Sequence, residues 1–342
     1  QIGSKTADEY GRLAQQTAQA MRMIDPDLEL VACGSSASMM PTFGEWERTV
    51  LSYCYDVVDH ISMHAYYEEL DGDRASFLGS GTAMSRFVER VAASADAIGA
   101  QRRSDKRITI SFDEWNVWYL VSRFPGEANL PIQRDAPRII EDVYSALDAV
   151  VVGDLIVTLL GHADRIAIGC LAQLVNVIAP IMTEPGGESW RQTTFHPFAE
   201  AARIARGEAL QVKVDAASIT TDKHGDVPAV TAAATVDPET GALALFVTNR
   251  TAEEQVVTLR HPGATARLDG GRAVLADHVG PREGKDAAES FGMVDALPVE
   301  HGDGAITLRL RGVYFTIFTF GLVLLLQSLI LWYETRFSGT RG

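Results

Sequence analysis

Cysteine is scarce in this chain. There are three, Cys33, Cys54 and Cys170. An odd count at wide spacing excludes a disulfide framework and a cysteine metal cluster, and makes a reducing compartment the default. Basic side chains are also short, 30 against 45 acidic ones, for a formal charge of −15. Phosphate would be repelled, so sequence-independent nucleic-acid binding is excluded and a small neutral substrate fits better. No G-x-G-x-x-G follows a predicted strand, no G-x-S-x-G occurs, and no H-E-x-x-H is present. Dinucleotide binding, a nucleophile elbow and a zinc site all lose their usual signatures. No cofactor and no metal are therefore expected. The sequence opens on Gln1 with no signal-peptide pattern behind it. The expectation is a fragment whose N-terminal part is missing.

What is present is globular: 46% hydrophobic and 22% charged residues over 342 positions. Thr6-Ala-Asp-Glu9 reads as a capping box. Tyr10, Leu13, Ala14, Thr17, Met21 and Ile24 follow at helical spacing, and Pro26 ends the helix. Apolar or β-branched runs at 28–33, 57–66, 107–115 and 165–174 predict strands. Helical patterns at 42–56, 76–99, 135–151 and 193–206 are interleaved with them. Strand–helix alternation with connections of this length predicts parallel crossovers. Polar or aromatic groups close each strand: Gly34-Ser35-Ser36, His64-Ala65-Tyr66-Tyr67, Asp113-Glu114-Trp115-Asn116 and Gln173. The C-terminal strand ends are where an α/β barrel carries its site, and four such units make half of an eightfold barrel. A doubly wound open sheet is the alternative.

Beyond about residue 207 the pattern changes. Short alternating segments at 227–236, 242–249, 254–260, 272–276 and 305–310 are separated by Pro, Gly and Asp turns. They predict an antiparallel β-sandwich. Then comes Gly312–Tyr333, which has no charged residue. As a helix it would span about 33 Å, enough for a bilayer core. It reads either as a transmembrane helix or as an artefact of a frameshift or gene boundary.

The chemistry concentrates in Ile108–Tyr119, ITISFDEWNVWY. Glu114 ends a β-branched strand between aromatic residues, beside Trp115 and Trp118. A carboxylate among indole rings suits carbohydrate chemistry, because sugar C–H faces stack on aromatics while the carboxylate meets an oxocarbenium-like centre. It reads equally as a strand-end acid that caps the next helix. Asp113, by alternation, falls on the other face. A tyrosine of the His64-Ala65-Tyr66-Tyr67 group could donate to a neighbouring carboxylate and hold it ionised. The same group reads as rim packing, and Gln173 as either a hydroxyl ligand or a backbone partner.

Several stretches together resemble family-51 glycoside hydrolases, the α-L-arabinofuranosidases. They are the opening QIGSKTADEYGRLAQQTAQAMRMIDPDLELVACGSS, then PTFGEWERTVL, DHISMHAYYE, ISFDEWNVWY and CLAQLVNVIAPIMTEPGG, followed by WRQTTFHPF. The resemblance covers roughly residues 1–310. It implies a (β/α)8 barrel followed by a β-sandwich, with residues 1–207 the C-terminal half of the barrel and 208–311 the sandwich. It implies retaining cleavage of terminal α-L-arabinofuranosyl groups from arabinan, arabinoxylan or oligosaccharides. It assigns Glu114 as nucleophile and Tyr66 as the residue orienting it. Trp118 and Gln173 would line the sugar subsite, and His64 is placed with them as substrate-binding. A cytoplasmic location and a homo-oligomer, often a hexamer in the family, are further implications.

Two departures stand out. The family's acid/base glutamate lies in an Asn-Glu motif, and no Asn-Glu occurs anywhere in this chain. The expectation is that this polypeptide alone is inactive or unstable. The family also ends in another short strand where this chain shows its apolar run, so membrane association is expected only if residues 312–333 are a genuine anchor. Two other readings stay open: a non-catalytic carbohydrate-binding or scaffold remnant, and a related barrel glycosidase with β-glucanase or xylosidase preference.

Overall fold

The computed structural model describes residues 4–120 and 140–260 and, beyond these, strands at 267–275, 294–295, 299–302, 305–310 and 314–321. In chain order the elements begin α1 (Ala7–Ile24), β1 (Val31–Ala32), α2 (Glu45–Cys54), β2 (His60–Tyr67), α3 (Arg74–Leu78), α4 (Ser80–Arg102) and β3 (Thr109–Val117). Next are α5 (Ala146–Gly161), β4 (Ile166–Leu171), β5 (Ile181–Thr183), β6 (Ser189–Arg191) and α6 (Phe195–Ile204). Then follow β7 (Glu208–Leu210), β8 (Ser218–Thr221), β9 (Gly225–Pro228), β10 (Val230–Val236), β11 (Leu243–Asn249) and β12 (Gln255–Arg260). The last are β13 (Arg267–Leu275), β14 (Val294–Asp295), β15 (Val299–Gly302), β16 (Ala305–Leu310) and β17 (Tyr314–Gly321).

These elements fall into two compact units. The first comprises residues 1–72, 82–142 and 162–179; the second comprises 73–81, 143–161 and 180–342.

The first unit is built on a four-stranded parallel sheet in the order β1-β2-β3-β4. The predicted capping box is present: the Thr6 side chain accepts from the Glu9 N–H, and Glu9 accepts from the Thr6 N–H. Two orphan donors of α1 are satisfied in this way. The face that α1 buries is not the one the apolar spacing suggests. Gly11 and Ala18 are buried, whereas Leu13, Met21 and Ile24 are exposed. Gly11 allows Tyr53 of α2 to approach, since a Cβ there would lie 2.7 Å from its ring. The contact between α1 and α2 is made through these small residues.

The sheet itself is apolar inside. Ile61, Met63, Ile110, Phe112 and Trp115 are fully buried. Gly34, just after β1, lies so close to β2 that a Cβ would collide with the Ser62 carbonyl, 2.0 Å away. The loop from β1 to α2 is pinned from beneath. The buried Glu47 carboxylate accepts the Ser35 N–H at 2.9 Å and the Gly44 N–H at 2.7 Å.

The second unit contains a six-stranded sheet, ordered β14-β13-β17-β11-β10-β7 and antiparallel throughout. It also has a three-stranded sheet, β12-β16-β15, and the hairpins β5-β6 and β8-β9. Val230, Ala234, Leu245, Val247 and Leu310 form one of its buried clusters. Helix α5 packs on β10 and β11 and is buried from Leu147 to Val157. Within it, Asp154 is locked to Arg250 at 2.8 Å and to the Thr231 hydroxyl at 2.6 Å.

Two sequence expectations are corrected here. The helix predicted over 135–151 begins at Ala146 and runs to Gly161, while part of the predicted span, 135–139, lies outside the described residues. Its start is set by a Ser-x-x-Asp box. Ser145 N–H and hydroxyl both donate to Asp148, at 2.6 and 2.9 Å, and the Asp148 N–H returns to Ser145 Oγ. The tail read as a possible transmembrane helix contains instead the strand β17, paired along its length with β11 and β13. A strand between two neighbours reads in sequence as an unbroken apolar run, which length alone mistakes for a membrane span. Residues 322–333 lie outside the described residues. Among the described residues no helix is long and apolar enough to cross a membrane.

Candidate active site

The site forms at the C-terminal ends of β2 and β3, and an irregularity in β3 shapes it. Ser62 pairs with Ser111, but His64 pairs with Glu114. On the other side Phe112 faces Gly169 and Trp115 faces Leu171. Between those points β3 carries one residue more than either neighbour, a bulge at Asp113-Glu114. Bulges break alternation and re-aim side chains. Here two consecutive carboxylates flank one imidazole. His64 Nε2 lies 3.0 Å from Asp113 Oδ1, and His64 Nδ1 lies 3.5 Å from Glu114 Oε2. Asp113 is therefore not on a separate face, as strict alternation predicts.

Tyr66 is the second partner of Glu114. Its hydroxyl donates directly to Glu114 Oε1. Burial, then the hydrogen bond and charge of Glu114, push the Tyr66 phenol far above its ordinary value. The phenol thus remains a donor over the whole working pH range, and it favours the ionised carboxylate. Trp118 packs edge-on to the Tyr66 ring, with centroids 4.8 Å apart at 74°. The Trp118 indole nitrogen is buried and has no hydrogen-bond partner among the described residues. Glu114 remains 40% exposed, with no Lys or Arg bonded to it among the described residues. It is an oriented, accessible carboxylate.

The structure therefore brings Glu114, Tyr66, His64 and Trp118 together. Gln173 makes no hydrogen bond to them among the described residues. It lies in the loop after β4, with an exposed side chain, and the loop starts where the Ala172 N–H donates to the Trp115 carbonyl at 3.0 Å. Trp115 itself is fully buried in the core, not at the mouth beside Glu114. Asn116 escaped the sequence reading as a site residue. It is fully buried and its amide donates to the Ala172 and Ile178 carbonyls, the latter at 2.6 Å. A polar residue inside an otherwise buried strand segment was the available signal. Among the described residues no group of three or more His, Cys, Asp or Glu is placed to hold a metal ion.

Comparison with known proteins fits this geometry. Residues 113–312 match the α-L-arabinofuranosidase C-terminal domain family. The chain is 55% identical over 250 residues to an intracellular exo-α-(1→5)-L-arabinofuranosidase of Streptomyces lividans, covering 73% of this chain and 38% of that one. It is 52% identical over 263 residues to an exo-α-(1→6)-L-arabinofuranosidase of Bifidobacterium longum, covering 74% and 50%. Among solved structures, AbfB, a family 51 α-L-arabinofuranosidase from Bifidobacterium longum, superposes with a TM-score of 0.86 at 37% identity, over 94% of this chain and 64% of that one. The chain thus spans about half the length of such relatives. A domain match across more than half of the chain, together with relatives of about 50% identity, places the chain in glycoside hydrolase family 51, the α-L-arabinofuranosidases.

Proposed function

We propose that this chain carries the nucleophile side of a retaining exo-acting α-L-arabinofuranosidase. The observation that supports it best is the Glu114 carboxylate, gripped by Tyr66 and His64 at the end of a bulged strand yet open to solvent. In this reading Glu114 attacks the anomeric carbon of a terminal α-L-arabinofuranosyl group. The C–O bond to the leaving group breaks and a glycosyl ester forms on Glu114. Tyr66 keeps the carboxylate ionised and aimed, while Trp118, His64 and Gln173 contact the sugar. Water then cleaves the ester with retention.

A second carboxyl, about 5–5.5 Å from the nucleophile in retaining enzymes, must protonate the leaving oxygen and later activate the water. The family's Asn-Glu motif is absent from this sequence. We take the four parallel strands as the second half of a (β/α)8 barrel, residues 1–207, with the sandwich starting at 208 and reaching through β17 to Gly321. The acid/base would come from the other half, and this chain alone would turn over slowly. The substrates would be arabinan- or arabinoxylan-type saccharides; the names of two bacterial relatives give exo action on α-(1→5)- and α-(1→6)-linked L-arabinofuranosyl groups, the first of them intracellular. The absent Asn-Glu also favours a second reading, a sugar-binding remnant without chemistry.

One experiment separates the two. 2,4-Dinitrophenyl α-L-arabinofuranoside has a leaving group that needs no protonation. The expected result is release of one equivalent of dinitrophenolate, a pentosyl adduct on Glu114 by mass spectrometry, and faster turnover when azide is added. Absence of both burst and adduct would reject the nucleophile role and leave the binding reading. Steady turnover at the rate of an intact family member would reject the missing-acid argument.

A further inference from the structure

The geometry points to Asn116 as a positioning residue that presents the Gln173 loop to the sugar, an inference that rests on the functional reading above. Asn116 lies on β3 two residues after Glu114 and two before Trp118, and it is fully buried. Both donors of its carboxamide are used. One meets the Ala172 carbonyl, the other the Ile178 carbonyl at 2.6 Å. Its Oδ1 accepts the Val117 N–H at 2.8 Å. One buried side chain therefore ties together the two ends of the segment from Ala172 to Ile178.

The tip of that segment is open to solvent. Gln173, Leu174 and Val175 are exposed and Asn176 is half-buried, so no apolar tip anchors the loop in a core. Asn176 and Ile178 both adopt left-handed backbone, with φ of 63° and 41°. For a β-branched residue such as Ile178 this is unfavourable, and it persists only where surrounding bonds over-determine the chain. Bonds at the loop base contribute to this: Gln173 N–H to the Ile178 carbonyl at 3.4 Å, Ile178 N–H to the Ile140 carbonyl at 2.9 Å, and the Asn116 amide. No other side chain does the same work in that space. Aspartate has the shape but no donors, and would set its charge against two carbonyl oxygens. Because Asn116 and Glu114 share a strand, the nucleophile and the loop bearing Gln173 are registered to one rigid element. Asn116 touches no substrate; it acts through Gln173.

The test uses Asn116→Leu, Asn116→Asp, Gln173→Ala and the double variant Asn116→Leu/Gln173→Ala. Amide hydrogen exchange reads the loop, and calorimetric binding of 1,4-dideoxy-1,4-imino-L-arabinitol reads the site. Both Asn116 variants are expected to speed exchange at least tenfold over residues 172–178, with residues 60–67 unchanged. Asn116→Leu should weaken the iminosugar about tenfold alone, and less than twofold further in the Gln173→Ala background. Unchanged loop exchange would overturn the inference, as would losses that multiply in the double variant, because a merely structural role has no reason to saturate with Gln173. If the wild-type chain does not bind the iminosugar, the sugar-binding reading fails and the positioning role fails with it. The exchange arm still decides separately whether Asn116 holds the loop.

Discussion

Two carboxylates, one in each unit, show how the same functional group is put to opposite uses. Asp154 is 2% exposed and spends its oxygens on the Arg250 guanidinium and the Thr231 hydroxyl. A neighbouring glycine, Gly81, is required there, since a Cβ would lie 2.3 Å from Asp154 Oδ2. Nothing is left over for chemistry. Glu114 is held by a neutral phenol and an imidazole, keeps 40% of its side chain in solvent and has no cation bonded to it among the described residues. A carboxylate saturated by a buried cation is a strut, whereas one oriented by a phenol hydrogen bond and left open can act as a nucleophile. Asp59 falls between them, with Arg22 at 2.6 Å, the Leu30 N–H at 2.8 Å and Lys106 at 3.6 Å, all on the partly exposed side of the first unit.

The comparison breaks or sharpens through substitution. The largest effect is expected at the open carboxylate. Glu114→Gln should lower the rate of dinitrophenolate release by about 10⁴-fold or more, the scale seen when a nucleophile is removed. Its urea midpoint should stay within the range of an ordinary surface change, about 0.5 kcal/mol. A large loss of stability would mean that Glu114 is also a strut. Asp154→Ala should do the reverse. It leaves the Arg250 charge buried and unpaired, at a cost of about 3–5 kcal/mol in denaturant unfolding. Replacing the pair with apolar residues, Asp154→Leu with Arg250→Met, should recover much of that loss.

Tyr66→Phe is the intermediate case. It removes one hydrogen bond to a charged acceptor, about 1.5–3 kcal/mol, so the burst should slow by roughly tenfold to 150-fold with the fold intact. The raised phenol value sets a sign as well. Because Tyr66 stays protonated above the ordinary range for tyrosine, the wild-type burst should show no alkaline loss near pH 10 that Tyr66→Phe abolishes; finding one would place the phenol elsewhere. The smallest effect is at Asp59. Burial raises its value, but the Leu30 N–H, Lys106 and Arg22 together outweigh that and leave it lowered. A lowered carboxylate contributes stability that is present above its unfolded value and disappears as pH falls through its folded one. Asp59→Asn should therefore cost about 1 kcal/mol or less near pH 7, as expected for a partly exposed pair. The difference from wild type should vanish below the folded value.

Legibility in the sequence followed the range of the interaction. The capping box at Thr6–Glu9 and the strands carrying His64, Tyr66 and Glu114 were readable because each depends on residues a few positions apart. Ser145-Ala-Leu-Asp148 was equally local and could have located the start of α5, but the apolar spacing upstream of it drew the prediction too early. The exposed Leu13–Ile24 stripe misled for the opposite reason. Its periodicity is real, but the face that packs was chosen by Gly11 and by the close approach of Tyr53. The apolar tail shows the same limit, since composition is blind to whether the next surface is a lipid tail or another strand.

By itself the sequence determined the alternation of strands and helices, the turn to short antiparallel strands, and the motif that puts a glutamate and a tyrosine at strand ends. These follow from periodicity, capping and local residue chemistry. Only the tertiary structure decided that a bulge sets Asp113 and Glu114 on one imidazole, that Asn116 clamps a loop more than 50 residues away, and that Tyr314–Gly321 lies between two strands. Register, partner and depth are properties of chain segments meeting across long separations, and no local pattern carries them.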